Sequence, residues 1–155
     1  MAIRTRVGTA GGRGLSLGED FPALRGSFPD QGPFNIYFDV DHTLVYVDQH
    51  KNVLRPGARQ AMARLKEAGH SVYVWSAGGK EYVERMVVLH ELAEWVDGCF
   101  DKNPRVDPSP DLIIDDDWYL VEKYGGYLVS QYKIVNELDR EFHAIIEALS
   151  GLGHV

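Results

Sequence analysis

The stretch NIYFDVDHTLVY, residues 35–46, decides the fold because a short apolar run within it ends in acidic side chains. The run IYFDV has the length and apolar density of a buried β-strand. Asp39 lies near the end of this run, Asp41 follows two positions later, and Thr43 comes two positions after that. Side chains two positions apart on a strand point to the same side, so the two carboxylates can converge. We interpret the stretch as a buried strand that ends at a functional site.

Further strands are predicted downstream of this one. The segment VYVDQHKNVL has two extended pieces around a polar tip, which predicts a hairpin-like flap over residues 47–53. Three other short apolar runs have the composition of strands, and in chain order they are SVYVWS, DGCF and DLIIDDD. The sequence shows no internal repeat, so the strands belong to one fold rather than to an array.

Three segments between and after these strands have the apolar spacing of helices. The first, RPGARQAMARLKEAGH, has Pro56 near its first turn and Gly69 at its end. The second, KEYVERMVVLHELAEWV, is amphipathic over residues 80–96. The third covers residues 133–151, and its predicted apolar stripe consists of Ile134, Val135, Leu138, Phe142, Ile145 and Leu149. This alternation predicts an α/β fold, namely a Rossmann-like three-layer sandwich with a central, mainly parallel sheet of about five strands.

The chain has the size of one domain with a separate leader. Its 155 residues and 45% hydrophobic content are enough to form a core. Residues 1–33 differ from the rest because they hold seven of the 16 glycines and three of the seven prolines. This composition predicts a flexible leader without a core of its own, followed by a single core domain over residues 34–155.

Charge and cysteine content exclude several classes of protein. The formal net charge of −7 gives no general attraction to nucleic acid or anionic lipid, so we expect no nucleic-acid partner. Cys99 is the only cysteine, which rules out an intrachain disulfide and favours a reducing compartment. The sequence has no secretory signal pattern and no apolar run of about 20 residues, so we expect a cytoplasmic protein without membrane contact.

Polar side chains follow three of the predicted strands. Asp39 and Asp41 follow the first, Ser76 ends SVYVWS, and Asp115 and Asp116 follow the apolar part of DLIIDDD. The carboxyl ends of parallel strands share one edge of a sheet, where ligands collect. Several carboxylates in one small volume repel one another unless they are protonated or bridged by a cation. A hard divalent ion with oxygen ligands resolves this repulsion, and Mg²⁺ suits a site with few carboxylates.

These residues resemble the four motifs of the haloacid dehalogenase superfamily of phosphohydrolases. DVDHT is similar to the first motif, Asp-x-Asp-x-Thr, and VYVWS to the second, an apolar strand that ends in Ser or Thr. Lys102 in FDKNP is similar to the lysine motif, and LIIDDD to the fourth motif, an apolar strand that ends in paired acids. The motifs occur in family order over residues 36–117. The resemblance implies the fold and the phosphohydrolase activity of this superfamily.

The resemblance also implies a role for each motif residue. Asp39 would be the nucleophile that forms an aspartyl-phosphate. Asp41 would act as general acid and then as general base, with its backbone carbonyl on the metal, and Thr43 would help to fix it. Ser76 and Ala77 would bind phosphoryl oxygens. For Ser76 a simpler interpretation stays open, in which it starts a turn or caps the helix that follows.

The resemblance leaves open which acid contacts the metal directly and which lysine offsets the charge of the phosphate. The implied ligands of Mg²⁺ are Asp39, Asp41, Asp115 and Asp116. The run of three acids leaves the register open, with Asp116 as the first choice for direct contact and Asp115 as its support. Lys102 would offset negative charge on Asp39 and the phosphate. Lys80 is the alternative for this role because it follows the second motif closely.

The spacing of the motifs leaves no room for a cap domain. The interval from Asp41 to Ser76 is taken up by the flap and one helix, and that from Ser76 to Lys102 by one helix and a short strand. The resemblance is therefore to capless members, with an open site roofed only by the flap. An open site suits a phosphorylated macromolecule, or a phosphorylated small molecule enclosed by a neighbouring subunit of a homo-oligomer.

The second aspartate of the first motif favours one reaction. Dehalogenases of the superfamily lack it, because a halide leaves without a proton, so the presence of Asp41 favours phosphoryl transfer. We therefore expect a Mg²⁺-dependent phosphomonoester hydrolase. Two alternatives stay open, which are a non-catalytic module that binds phosphorylated partners and a phosphotransferase with an acceptor other than water.

Overall fold

The computed structural model describes residues 4–6 and 23–155 of the chain, the first three only as a strand. In chain order, the elements are β1 (Arg4–Arg6), β2 (Leu24–Arg25), β3 (Ser27–Pro29), β4 (Asn35–Asp39), β5 (Val45–Val47), β6 (Asn52–Leu54), α1 (Ala58–Glu67), β7 (Ser71–Ser76), α2 (Lys80–Leu89), β8 (Gly98–Asp101), β9 (Leu112–Asp115), α3 (Trp118–Tyr124), β10 (Gly126–Leu128) and α4 (Glu141–Gly151).

The central sheet has six strands in the order β2–β10–β9–β4–β7–β8. Neighbouring strands are parallel, except that β2 runs antiparallel to β10. Strand β4 lies between β7 and β9, where Phe38 is in register with Val74 on one side and Ile114 on the other. The predicted mainly parallel sheet is confirmed, with six strands rather than about five. The mixed α/β arrangement is consistent with the predicted Rossmann-like class.

Helices cover both faces of the sheet because successive residues of its strands are apolar on both sides. Ile36 and Phe38 of β4 belong to the larger core, together with residues of α1, α2 and α4. Tyr37 of β4 belongs to a smaller cluster on the other face, together with Val121 of α3. Within the part of the chain that the structure describes, no helix combines the length and the apolar character needed to cross a bilayer.

The segment after β4 has the hairpin that the sequence predicts. Strands β5 and β6 pair antiparallel, with Val45 in register with Leu54. Helix α1 follows Gly57, whose φ of 83° suits glycine, and it ends shortly before Gly69. The hairpin and α1 occupy the interval before β7, and α2 and β8 occupy the interval before Lys102. Neither interval contains a cap domain.

Helix α2 is shorter than the sequence predicts, since it ends at Leu89 rather than near residue 96. Glu91 has a left-handed backbone with φ of 56°, which a right-handed helix cannot continue. The N–H of Leu92 then donates to the carbonyl of Val87 at 2.9 Å, and the Leu92 side chain is buried in the larger core. The burial of Leu92 therefore determines where helix α2 ends, although the helical spacing of apolar residues continues beyond that point.

The C-terminal helix also differs from the prediction, since α4 begins at Glu141 and not near residue 133. Three residues of the predicted stripe are buried in α4, which are Phe142, Ile145 and Leu149. The three others precede the helix and are exposed, which are Ile134, Val135 and Leu138. Hydrogen bonds to other segments explain the difference: Tyr132 N–H donates to the His42 carbonyl at 2.7 Å, and Arg55 Nε donates to Asp139 at 2.8 Å.

The predicted leader, residues 1–33, lies only partly within the described residues. Strand β2 is at the edge of the central sheet, and Leu24 and Phe28 are buried in the larger core. Residues 24–29 therefore pack with the domain whose start was predicted at residue 34. Strands of two and three residues are too short to show a period in the sequence. For residues 1–3 and 7–22, which lie outside the described residues, the leader stays a prediction.

Candidate active site

Three adjacent strands bring polar side chains to the carboxyl edge of the sheet. Asp39 ends β4, Ser76 ends β7 and Asp115 ends β9, and β4 is paired with both of the other strands. All three side chains are buried, with Asp39 6% exposed and Asp115 fully inaccessible. The structure thus brings together the strand-end residues that the sequence singles out, at the edge where parallel α/β sheets bind ligands.

Lys102 connects two of these carboxylates. Its Nζ lies 2.8 Å from Asp39 Oδ1 and 2.9 Å from Asp115 Oδ2. The backbone N–H of Lys102 donates to the Ser76 carbonyl at 3.0 Å, which fixes the residue directly after β8. Lys80, the alternative, is exposed, and its own backbone N–H donates to Asp101 at 2.6 Å. Lys102 is therefore the lysine that contacts Asp39.

The loop after β4 folds back on the end of its own strand. The N–H groups of Thr43, Leu44 and Val45 all donate to the Val40 carbonyl, at 3.3, 3.0 and 3.1 Å. This turn buries Thr43, whose hydroxyl donates to Asp39 Oδ2 at 3.0 Å. The resemblance implied that Thr43 fixes the second aspartate of its motif. Its hydroxyl instead holds the first.

Asp41 has a different partner, which comes from helix α2. The hydroxyl of Tyr82 donates to Asp41 Oδ1. Burial and the hydrogen bond to Asp41 raise the pKa of the Tyr82 phenol, so it stays protonated and acts as a donor. The Asp41 carboxylate is thereby held beside the sheet edge and is not part of the group of converging carboxylates.

Ser76 lies at the start of a tight loop between β7 and α2. Its hydroxyl accepts a hydrogen bond from the Gly78 N–H at 3.0 Å, and its carbonyl accepts one from the Gly79 N–H at 3.2 Å. A side chain at Gly78 would crowd Ser76 Oγ, at 3.3 Å, and the Tyr82 ring, at 3.1 Å. Ala77, the other predicted phosphate-binding residue, is exposed next to Ser76.

Three carboxylates converge closely enough to hold a metal ion. Asp39, Asp115 and Asp116 each present an oxygen, and these oxygens lie within 4.8 Å of one another. Oδ1 of Asp115 also accepts the Asp117 N–H at 3.0 Å, and Oδ2 of Asp116 accepts from Gln131 Nε2 at 2.9 Å. Hard oxygen donors of this kind fit Mg²⁺, which binds through few carboxylates and keeps several waters.

Repulsion and burial perturb the acid–base behaviour of this cluster. Burial and the charge of Asp115 raise the pKa of Asp39 from 3.8 to about 8, although Lys102 opposes this. Burial also raises the pKa of Asp115, again against Lys102. Burial alone would raise the pKa of Asp116, but hydrogen bonds, first of all from Gln131, outweigh it and lower that pKa. Without a cation the cluster therefore retains a proton, which a bound dication would displace.

The thermal stability of the metal-free protein should depend on pH through Asp39. Its raised pKa means that the folded state binds more protons than the unfolded state between pH 3.8 and about 8, so stability falls as pH rises through this window. We expect the melting temperature of the wild type, in chelator, to fall relative to that of Asp39→Asn between about pH 5 and 8. Calorimetry of both proteins measures this difference. Because both proteins contain the same histidines, the contribution of the histidines drops out when the two melting temperatures are subtracted.

Mg²⁺ provides the control for this pH dependence. At the upper end of the window the ion should raise the melting temperature of the wild type more than that of Asp39→Asn, because only the wild type has the full carboxylate set. Near the lower end the effect should shrink, since the ion then competes with a proton. A difference between the two proteins that is constant with pH would contradict the raised pKa.

Sequence reasoning missed three residues that support the site. Tyr82 holds Asp41, and Gln131 contacts Asp116. Arg55 is buried after the hairpin and donates to the Thr43 carbonyl at 3.3 Å and the Ser130 carbonyl at 2.8 Å. No sequence signal indicates these contacts, because all three residues are polar or aromatic side chains in segments that resemble ordinary surface.

Comparison with known proteins supports the fold but does not show which reaction the candidate site carries out. No protein-family model matches the chain, and no curated protein matches it. Among solved structures, the chain is similar to Fcp1, described as an essential RNA polymerase II CTD phosphatase, with a TM-score of 0.51 and 14% sequence identity. This likeness shows the fold alone. The similarity covers 80% of this chain but only 49% of the Fcp1 chain.

Proposed function

We propose that this protein is a Mg²⁺-dependent phosphomonoester hydrolase that acts through an aspartyl-phosphate on Asp39. The observation that carries the proposal is the contact of Lys102 Nζ with both Asp39 and Asp115, beside the third carboxylate of Asp116. Phosphoryl transfer requires a positioned nucleophile together with fixed positive charge around the transferring group. The fold of the haloacid dehalogenase type, which the likeness to Fcp1 supports, agrees with this reaction.

In the proposed first step, a carboxylate oxygen of Asp39 attacks phosphorus, and the bond from phosphorus to the ester oxygen breaks. Asp41 in its protonated form transfers its proton to that oxygen, which leaves as an alcohol or phenol. Lys102 stabilises the negative charge that develops on the phosphoryl group. Ser76 and the backbone N–H of Ala77 would hold phosphoryl oxygens, since Ser76 ends β7 and Ala77 follows it at the same edge of the sheet.

In the proposed second step, water attacks the phosphorus of the aspartyl-phosphate. Asp41, now a carboxylate, accepts a proton from this water, and the bond from phosphorus to Asp39 breaks. Inorganic phosphate leaves, and the Asp39 carboxylate is restored. Two displacements thus replace one hydrolysis that is among the slowest reactions without a catalyst. General acid–base catalysis of this kind typically contributes about 10²–10⁴-fold.

The metal would be held by Asp39, Asp115 and Asp116, with the backbone carbonyl of Asp41 as a further ligand. Asp116 is the better candidate for direct contact than Asp115, because Asp116 is partly exposed, whereas the Asp115 side chain is fully buried and held by Lys102 and the Asp117 N–H. When bound, Mg²⁺ would neutralise the carboxylate cluster and polarise the phosphoryl group. The intervals between the motif residues, all within the described part of the chain, hold no cap domain, and the proposed substrate is a phosphorylated small molecule or macromolecule.

Turnover of 4-nitrophenyl phosphate tests this proposal. The wild type should release nitrophenol and inorganic phosphate in Mg²⁺ and lose activity in excess chelator. Acid-quenched protein should carry a phosphoryl group on the peptide that contains Asp39, detectable by mass spectrometry. Absence of turnover with a stable complex of phosphate and protein would favour a binding module. Nitrophenol release in excess over phosphate, with an alcohol present, would indicate a phosphotransferase.

A further inference from the structure

We infer that Tyr82 is a positioning residue that orients Asp41 as the proton donor to the leaving group. The inference rests on the proposed function, because Asp41 has this role only if the site hydrolyses phosphate esters. Apart from Lys80, the alternative for the phosphate-site lysine, the motif resemblance assigns no residue of helix α2 to the site. The contact between the Tyr82 hydroxyl and the Asp41 carboxylate is the observation that adds one.

The position of Tyr82 is fixed from several sides. It lies in the first turn of α2, next to the buried Val83, and its ring packs at the edge of the larger core. The close approach of Tyr82 to Gly78 means that even a methyl group at that glycine would meet the ring at 3.1 Å. The Arg85 guanidinium lies over the ring, 5.8 Å from its centroid. A hydroxyl held on such a ring has a defined location.

The Asp41 carboxylate, by contrast, is carried by a loop. Asp41 follows β4 by two residues, and its backbone forms an isolated bridge with Val45. The backbone is therefore fixed, but the side chain still has two torsions. A hydrogen bond from a phenol to a carboxylate oxygen is charge-assisted and directional. With Oδ1 bound to Tyr82, Oδ2 is the oxygen left to carry the proton towards the leaving group.

If Tyr82 has this role, the loss of activity on removing its hydroxyl should depend on the leaving group of the ester. A proton donor matters most when the departing oxygen is a strong base, and it matters little for 4-nitrophenolate, which leaves readily without a proton. A purely structural role of Tyr82 would slow all esters equally. Substituted phenyl phosphates of similar size therefore separate the two roles. The suitable parameter is kcat/KM, because it includes the departure of the phenol but not the later hydrolysis of the aspartyl-phosphate.

The experiment compares Tyr82→Phe with the wild type on 4-nitrophenyl phosphate and 4-methylphenyl phosphate in Mg²⁺. Phenylalanine keeps the ring and its packing and removes only the hydroxyl. We expect kcat/KM to stay within about twofold for the nitrophenyl ester and to fall about 10- to 100-fold for the methylphenyl ester. Asp41→Asn is the benchmark and should lose about 10²–10⁴-fold on the methylphenyl ester.

Tyr127→Phe is the matched control, because Tyr127 is a buried tyrosine of β10, outside the candidate active site, where burial and the nearby Glu141 carboxylate of α4 raise the pKa of its phenol. It should leave the ratio of kcat/KM for the two esters unchanged. Melting temperatures of all variants show whether each is folded. An equal loss for both esters in Tyr82→Phe, or no loss at all, would overturn the inference. If the wild type hydrolyses neither ester, the proposed function itself fails.

Discussion

Replacing Asp39 by asparagine is expected to abolish turnover of 4-nitrophenyl phosphate while leaving the protein folded. Asparagine keeps an acceptor oxygen for the Thr43 hydroxyl, which lies 3.0 Å from Asp39 Oδ2. Lys102 keeps Asp115 as an ionic partner at 2.9 Å. An amide oxygen, however, is a poor nucleophile and cannot form an aspartyl-phosphate. We expect kcat/KM to fall by at least about 10⁴-fold, a loss of the size seen when an enzyme loses its nucleophile.

A second aspartate variant makes this result specific. Asp97 precedes β8 at the opposite end of the sheet, where it binds Lys66 at 2.7 Å and the Val72 N–H at 2.8 Å. Asp97→Asn removes one carboxylate charge, as Asp39→Asn does, without touching the candidate active site. Steady-state kinetics in Mg²⁺ should show nearly wild-type activity for Asp97→Asn. Equal activity of Asp39→Asn and the wild type would refute the proposed nucleophile.

The strands that position Asp39 could be predicted because their sequence signal is strong. A parallel sheet buried on both faces needs nearly continuous apolar strands, and IYF, VYVW and LII meet this requirement. Each of these runs ends in a polar residue, namely Asp39, Ser76 or Asp115. A polar residue at the end of a buried strand conflicts with core packing, and such conflicts mark functional sites. The carboxyl edge of the sheet was therefore predictable from local sequence alone.

The parts that could not be predicted depend on contacts with distant segments. Ile134 and Leu138 have helical spacing, yet both are exposed and precede α4, because neighbouring residues bind the loop after β4 and Arg55. Leu24 is buried in a two-residue strand that lies in a segment rich in glycine and proline. In both cases tertiary hydrogen bonding or burial overrides local propensity.

The hydrogen-bond partners of the site residues could not be predicted from the sequence either. Successive residues of a helix differ by about 100° in direction, so a shift of one residue in the start of α2 would turn Tyr82 away from Asp41. The sequence does not specify this start to one residue. The hydrogen bond of Thr43 likewise depends on the tight turn after β4, which brings its hydroxyl to Asp39.

Replacing Lys102 by methionine is expected to destabilise the metal-free protein and to reduce activity. Methionine has a similar length but no charge, so Asp39 and Asp115 would lose an ammonium group that lies within 3 Å of both. Removing one partner of a buried ion pair leaves an uncompensated charge, at a cost of about 3–5 kcal/mol. We expect the lower end, about 3 kcal/mol, because the Lys102 side chain is 16% exposed.

This loss of stability should depend on pH and on metal. Near the lower end of the titration window Asp39 takes up a proton, so fewer buried charges remain to be compensated and the loss should shrink. Mg²⁺ at the upper end should restore part of the stability, because a dication compensates the same carboxylates. Urea denaturation of both proteins in chelator and in Mg²⁺ measures these free energies of unfolding. A loss that is independent of pH and Mg²⁺ would indicate lost packing on Trp75 instead.

Activity separates the role of Lys102 in the reaction from its role in folding. At saturating Mg²⁺ the variant should be folded, and kcat should still fall about 10²–10³-fold, because the transferring phosphoryl group loses a fixed cation. Lys80→Met is the matched control, since Lys80 is exposed and only its backbone N–H donates to Asp101. It removes the same charge a few residues after Ser76 and should leave kcat unchanged. A larger loss in Lys80→Met than in Lys102→Met would move the phosphate-binding charge to α2, and the bridge between Asp39 and Asp115 would then be structural only.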